Sequence, residues 1–418
     1  RKFSLTIIKQ LTRDKLKEFS KLGYEFIIFA DLGSCALQLM EDNLGSKTII
    51  ILDHHKPEEF KTKFFHVNPH LFDIDGSREI SAAGVTYLFA KSISSLNKEL
   101  AHIAIMGAIG DVQEERGFKG LNKEILEDAV HAGKIEIRRG LRMFGMQTKP
   151  LHKVLMYSTN PYIPNVTGSE EGALKFLNEI GIDPKKGRKW KKLIHLDEDD
   201  MKRLVTGVIL RRIGSEKNPD DVLGPIFLLS HESDESPMKD AKEFSTLLNS
   251  CGRMKKPSVG IGTCLGSQEL KEEAIEVSKA YKQEIIKGLN WFYQNKENNI
   301  QEDGYVIVNA GDNIRDSMTS TLSSMISNSN IYREDTIIMV LAHTLDGKTK
   351  ISLRKVGSKP NKDINLLAII KEIIAKIGGE CGGHAYHAAG ALIDQEKEEN
   401  FISDAQKVLK RTIIEQSV

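Results

Sequence analysis

Cysteine is scarce in this chain: four in 418 residues, at positions 35, 251, 264 and 381, with no Cys-x-x-Cys pair. That excludes a zinc ribbon, argues against a disulfide framework, and leads us to expect a reducing cytoplasm. No apolar run approaches the roughly 18–20 residues that cross a bilayer. No secretory leader is visible either, so a membrane is not an expected partner. Neither charge is in excess, since 59 Lys and Arg stand against 58 Asp and Glu. A nucleic-acid partner would therefore need a local groove rather than a global basic field. Internal repeats and low-complexity tracts are absent.

What remains is a globular composition, 40% hydrophobic and 28% charged, in a chain long enough for two cores. The first part alternates strands and helices. A β run is expected over residues 4–8, a helix over 12–22, and a buried strand over 25–31 (EFIIFAD). A helix from Ala36 and a second buried strand over 47–53 (KTIIILD) follow. Apolar runs without polar alternation, separated by helices, are the mark of a covered parallel sheet. Helices are expected over 82–93 and 96–109, the second leading to Asp111. Residues 149–266 carry scattered prolines and weak periodicity and read as a mostly helical insertion. A long helix over 267–295 follows as a rigid connector. The last part reads as a compact α/β unit. Strands are expected at 305–309, 336–341 and 350–355, the last two joined across Asp346-Gly347. Helices are expected over 316–327 and 364–377, and a glycine-rich turn (GGECGGH) leads to a strand over 389–393.

Two of the first strands end in a carboxylate, Asp31 and Asp53, and ligands bind at the carboxyl ends of strands in doubly wound sheets. With His54, His55 and Asp111 they form a set of oxygen and imidazole donors suited to manganese, magnesium or zinc. Carboxylates in such a set can bridge two ions. A lone Asp-His-His is more often a strand-end turn with capping residues. The combination with ADLGS (30–34) one βα unit earlier and GAIGD (107–111) later is far more specific.

These segments resemble the DHH phosphoesterase family, in particular the archaeal RecJ-like nucleases. ADLGS matches the family's second motif, LDHH (52–55) its third and GAIGD its fourth. GGHAYHAAG (382–390) matches the GGGH-x-x-A-x-G signature of the DHH-associated domain, with Cys381 in place of the first glycine. The resemblance implies two Mn2+ (or Mg2+) ions, with Asp31 bridging them and His54 and Asp111 completing one. It places Asp53 at the strand end, orienting the site directly or from behind. His55 would face the scissile phosphate as charge stabiliser or proton donor.

One family feature is missing. The first motif, approximately His-x-Asp-x-Asp-Gly, has no counterpart before ADLGS, where there is Asp14 and no histidine. We expect the first strand and first motif to lie upstream of Arg1; the other reading is a paralogue that has lost catalysis. Without that motif, this polypeptide is expected to be poorly active or inactive. Asp73-Ile74-Asp75-Gly76 looks similar but falls in a connecting loop and reads as turn chemistry.

In the C-terminal unit, Gly382, Gly383 and His384 would let a phosphate approach the backbone; a plain helix-to-strand turn needs the same glycines. Ser352-Leu353-Arg354 resembles the Ser-x-Arg element of DHH-associated domains, with Arg354 forking onto a phosphate. An exposed strand arginine is the bland alternative. Arg315 is either a second phosphate contact or a solvated helix start. The basic run 185–192 (KKGRKWKK) reads as a solvated helix face with one buried Trp190, base stacking being the alternative. Gly260-x-Gly262 reads as a loop. His66, His102, His131, His152, His195 and His231 have no partner spacing and read as structural.

The expected architecture is α/β: a parallel-sheet DHH domain (1–148), a mostly helical insertion (149–266), a connector helix (267–297) and a smaller C-terminal α/β domain (298–418). The expected function is metal-dependent hydrolysis of single-stranded DNA or RNA. The alternatives are a non-catalytic replication scaffold binding GINS-type partners and a phosphodiesterase for small oligonucleotides or cyclic dinucleotides.

Overall fold

A computed structural model describes residues 3–416 apart from 9–10, 116, 159–160, 217, 330, 358–363, 385 and 387. The chain divides into two compact units, one of residues 1–249 and 257–275 and the other of residues 250–256 and 276–418. Both are α/β.

The first unit opens with α1 (Arg13–Lys21), capped by the Thr12 hydroxyl, which accepts the Lys15 N–H. Next come β1 (Phe26–Ala30), α2 (Leu37–Leu44), β2 (Thr48–Leu52) and β3 (Phe65–Val67). The three strands form a parallel sheet in the order β1-β2-β3. On one face, Phe29, Ile49 and Ile51 pack with Leu16, Leu37, Met40 and Leu44. The other face differs from expectation: Phe26, Ile28 and Phe65 are 52%, 46% and 66% exposed. The apolar runs thus mark a sheet packed by helices on one face, while the other is open at Phe26, Ile28 and Phe65 and closes only toward its carboxyl end, where Leu52 is 1% exposed. The β run expected at 4–8 does not form. Residues 3–8 have no regular structure, and Phe3, Leu5 and Ile7 are exposed. A strand needs a neighbour to satisfy its backbone, and no described strand pairs with the outer edge of β1.

Then α3 (Ala82–Ile93), capped by Ser81, packs on α4 (Ala101–Gly110). A Cβ at Gly107 would lie 2.4 Å from that of Ala83, so glycine permits the close crossing. After α5 (Gly120–His131), β4 (Ile135–Leu141) pairs antiparallel with β7 (Leu223–Leu229), between which the mostly helical region runs. It holds α6 (Leu151–Met156), α7 (Glu170–Glu179) and α8 (Glu198–Arg212), and continues past β7 as α9 (Ala241–Arg253) and α10 (Pro257–Cys264). Two local expectations are corrected. The basic run is not a helix face but a hairpin of β5 (Lys185–Lys186) and β6 (Lys189–Trp190), turning at Gly187 with φ +63°. Its Trp190 is 39% exposed rather than buried. Its ring is already engaged by His152 at 4.2 Å and by the Lys185 ammonium at 4.5 Å. Gly260 and Gly262 lie inside α10, not in a loop. A Cβ on Gly262 would meet Leu270 at 1.9 Å.

The 27-residue helix α11 (Gln268–Gln294) runs from one unit into the other. The second unit adds β8 (Ile300–Glu302), β9 (Tyr305–Asn309), α12 (Thr319–Ser327), β10 (Ile337–His343) and β11 (Lys348–Lys355). It ends with α13 (Leu366–Ile377), β12 (Glu380–His384), β13 (Ala388–Asp394) and α14 (Glu398–Gln416). Its six-stranded sheet has the order β12-β13-β11-β10-β9-β8. Here both faces are covered. Ile337, Met339 and Leu341 pack with α13 and α14, while Ile338 and Val340 pack with α11 and α12. Period-two alternation on β10 thus feeds two cores. The glycine-rich segment expected to be a turn is the edge strand β12, paired antiparallel with β13.

Candidate functional site

The carboxyl ends of β1 and β2 carry Asp31 and Asp53. Asp31 sits in the left-handed region (φ +64°) and donates its N–H to the Leu52 carbonyl at 2.9 Å. The ladder therefore continues one residue past the strand while the side chain, 65% exposed, turns outward. Asp53 does the reverse. It is 1% exposed and accepts the N–H groups of Ser34 (2.9 Å), His54 (2.8 Å) and His55 (3.2 Å). Its Oδ1 also lies 2.8 Å from His55 Nδ1. Burial alone would push the Asp53 carboxyl pKa up. The bonds from the His55 ring and from the Ser34 and His55 N–H groups outweigh it and hold the pKa well below the usual range. Asp53 is thus a fixed anion that aims two histidines.

His54 points at two other carboxylates, its Nε2 lying 3.5 Å from Asp31 Oδ1 and 3.8 Å from Asp111 Oδ2. Asp111 is delivered by the end of α4, where its N–H caps the Gly107 carbonyl at 3.1 Å. These separations are long for hydrogen bonds. They fit neighbouring ligands at ~2.1 Å from one ion, which stand ~3.0–3.4 Å apart in octahedral or tetrahedral geometry before small adjustments. Burial lowers the pKa of His54. The nearby Asp31 carboxylate, the Gly76 carbonyl and the charge of Asp111 outweigh it, leaving the pKa at about 9. Asp111 is pushed up by burial and by Asp31, against the pull of His54. Asp31, His54 and His55 each present a ligand atom within 4.8 Å of the others, the one such group among the described residues. Mixed carboxylate and imidazole donors, crowded and partly protonated, have the chemistry of a divalent-cation site. Beside them lies a cavity of about 460 Å³ lined by Asp31, Asp111, Ala30, Tyr87, Ala104 and Gly107.

Sequence reasoning missed the residues behind these ligands. Gly76 of the Asp-Ile-Asp-Gly loop, read as mere turn chemistry, lies with its carbonyl 2.7 Å from His54 Nδ1, leaving Nε2 for a ligand. A Cβ there would lie 2.1 Å from the His54 carbonyl, so the close approach requires glycine. Asn68, fully buried, donates to the His55 carbonyl and to Ser34 Oγ, and Ser34 Oγ contacts His66 Nε2 at 2.8 Å. His66, which reads as structural, therefore stands one bond behind the site. Gly76 was visible as a motif look-alike; nothing in the sequence singled out Asn68.

The expected substrate residues lie in the second unit. Ser352, Gly390 and Gly382 share one row across β11, β13 and β12, and Leu353, Ala389 and Gly383 the next. Gly383 has φ +135°, and a Cβ there would lie 2.3 Å from the Ala388 carbonyl, so strand pairing itself demands glycine. His384 ends β12. The Ser352 hydroxyl is turned inward, 2% exposed and 3.0 Å from Ser323 Oγ. Arg354 is half-buried rather than exposed, donating to Ser324 Oγ at 2.9 Å and to the Leu353 carbonyl at 3.0 Å. Arg315 pairs with Glu284 at 3.2 Å.

No helix among the described residues is long and apolar enough to cross a membrane, and no disulfide joins the four cysteines. Comparison with known proteins agrees with the motifs. Residues 143–223 match the DHH-CID domain and residues 303–411 the DHHA1 domain. The chain is 30% identical over 417 residues to the Methanocaldococcus jannaschii protein described as uncharacterized protein MJ0831, covering 97% of this chain and 86% of that one. The fold is similar to that of RecJ from Thermus thermophilus, solved with Mn2+. The TM-score there is 0.56 at 13% identity, over 96% of this chain but only 47% of that longer one. It is also similar to CDC45 from Entamoeba histolytica, with a TM-score of 0.63 at 11% identity over 95% of this chain and 88% of that one. With the strand-end Asp31, the Asp53-His54-His55 turn and the two matched domains, the chain belongs to the DHH superfamily and is RecJ-like.

Proposed function

We propose that this protein is a metal-dependent phosphodiesterase acting on single-stranded DNA or RNA in the cytoplasm. The observation that carries the reading is the convergence of Asp31, His54, His55 and Asp111 at the carboxyl ends of two parallel strands, backed by a fully bonded Asp53. Two divalent ions, Mn2+ or Mg2+, would supply Lewis acidity and an activated water. Asp31, the most exposed carboxylate, would bridge them, with His54 and Asp111 as further ligands. His55, fixed through Nδ1 by Asp53, keeps Nε2 available to a phosphate oxygen or to the leaving oxygen, as charge donor or proton donor. On the second unit, Arg354, Gly382, Gly383 and His384 would hold a neighbouring nucleotide, with Ser352 positioning α12 from beneath and Arg315 at the margin.

The test is cleavage of end-labelled single strands with manganese, with and without chelator. Asp31→Ala is expected to lower the rate by more than about 100-fold, beyond the 10–100-fold typical of a group behind the ligands. Protein assayed in its full natural length that binds manganese yet cleaves neither DNA nor RNA strands, nor short oligonucleotides or cyclic dinucleotides, would sink the enzyme reading. A second reading, a scaffold for GINS-type replication partners, then takes its place. It is favoured by the single close ligand group among the described residues, which is enough for one ion rather than two.

A further inference from the structure

The β5–β6 hairpin carries more charge than a chain reversal needs. Lys185, Lys186, Arg188, Lys189, Lys191 and Lys192 stand close together in a protein whose charges otherwise nearly cancel. They fall into two groups. At the base every cation is engaged. The Lys192 ammonium lies 2.7 Å from Glu235 and that of Lys191 3.6 Å from Asp200, while Lys185 lies over the Trp190 ring at 4.5 Å. Main-chain bonds hold the same end. The Lys191 N–H donates to the Pro184 carbonyl at 2.9 Å, and the Leu151 N–H donates to the Lys191 carbonyl at 2.8 Å. Trp190 packs against the ring of His152, which is 2% exposed, so the base is fixed to the helical region.

At the tip the opposite holds. Lys186, Arg188 and Lys189 are exposed, and none has a carboxylate partner among the described residues. Lys186 stands directly opposite Lys189 across the ladder, where like charges oppose hairpin formation. Nothing lies within 4 Å of where a Cβ on Gly187 would stand, so the turn projects into open solvent. Carboxylates close by in the chain are used elsewhere: Asp183 accepts the Lys185 N–H at 2.8 Å, and Asp200 pairs with Arg203. A fixed base thus holds an unneutralised tip in place.

We propose that Lys186, Arg188 and Lys189, at the tip of the β5–β6 hairpin, contact the phosphate backbone of a nucleic-acid strand. The inference rests on the nucleic-acid reading above and adds a surface outside the strand-end cluster and the second unit. Composition favours phosphate over an acidic protein. Lysine is depleted in protein–protein interfaces, which gather around an apolar core. The one aromatic ring of the hairpin is already occupied by His152 and Lys185. Nucleic-acid interfaces are far more positive, and backbone contacts need cations rather than a shaped pocket. Such contacts add affinity without sequence preference.

The full chain and its Lys186→Ala/Arg188→Ala/Lys189→Ala triple variant would be titrated with a fluorescent oligothymidylate strand at graded salt, with chelator present. The variant should bind roughly 10-fold or more weakly at low salt, and its log–log salt slope should be shallower by about 2, three phosphates at ~0.7 each. A second variant separates binding from folding. Lys186→Glu turns the like-charge pair into an ion pair, so it should melt no lower than wild type yet bind the strand more weakly. Equal affinity and slope in wild type and both variants overturn the inference and leave the nucleic-acid reading standing. Binding that depends on the tip, with no cleavage once manganese replaces chelator, keeps the contact and sinks the phosphodiesterase reading. A chain that binds no strand overturns both, and oligoglutamate bound through the tip would then assign it to an acidic protein partner.

Discussion

On the six-stranded sheet every residue of β10 from Ile337 to Ala342 is buried, whereas on the three-stranded sheet Phe26, Ile28 and Phe65 stand 52%, 46% and 66% exposed. Their charged groups differ as well. At the ends of β1 and β2, negative charge is gathered and balanced from within. Asp53 takes three N–H groups and a histidine, and His54 stands between Asp31 and Asp111. On β11, Arg354 is held by a hydroxyl and a main-chain carbonyl, both neutral. The first sheet leaves part of one face open and gathers carboxylate and imidazole donors at its carboxyl end. The second is packed on both faces, and its strand arginine is held by neutral partners. A rigid core beneath an uncompensated charge is what preorganised binding requires.

The sharpest way to break this contrast is in the packing. Leu353→Ala, between two fully paired strands, should cost about 2–5 kcal/mol in urea denaturation, since the cavity cannot collapse. Asp53→Asn comes next. It keeps the shape but can no longer hold His55 as an anion would, and manganese affinity by calorimetry should fall about 10–100-fold. Unchanged affinity would mean that Asp53 only shapes the turn. The third effect is graded by pH. His54 has a native pKa raised to about 9, so the native state binds more protons than the unfolded chain. The stability it contributes is therefore fully present below the unfolded value of about 6.5 and is lost as pH rises through about 9. A metal must displace that proton, so apparent manganese affinity should climb by up to about tenfold per pH unit from 7 to 9 and then level off. A flat profile would remove His54 from the ligand set. The smallest effect is expected for Phe65→Ala on the bare face of the first sheet, within about 0.5 kcal/mol of wild type. A cost near that of Leu353→Ala would show that this face is covered after all.

Much of this was legible because short-range rules act locally. The first helix, the β1 and β2 cores and the Asp346-Gly347 turn follow from residues within a few positions of one another. So did the presence of carboxylates at two strand ends, though not their directions: Asp31 turns outward and Asp53 turns in to the Ser34, His54 and His55 N–H groups. Glycines were harder to read, because their freedom serves opposite ends. The run 378–384 reads as a turn, yet residues 380–384 of it build an edge strand whose Gly383 admits the Ala388 and Ala389 backbone. Gly260 and Gly262 read as a loop, yet they let α10 press against Leu270. The run at 4–8 has the apolar content of a strand but no partner among the described residues.

By itself the sequence determined the α/β class, the long connector helix and the identities of the groups that gather at β1, β2 and α4, because periodicity and motif spacing are properties of neighbouring residues. Tertiary structure alone decided that Gly76, 22 residues from His54, would set its tautomer, and that Asn68 would brace the turn. It alone left Arg354 with neutral partners and no carboxylate among the described residues. Hydrogen bonding and burial depend on what the folded chain brings within a few ångströms, and no local pattern records that distance.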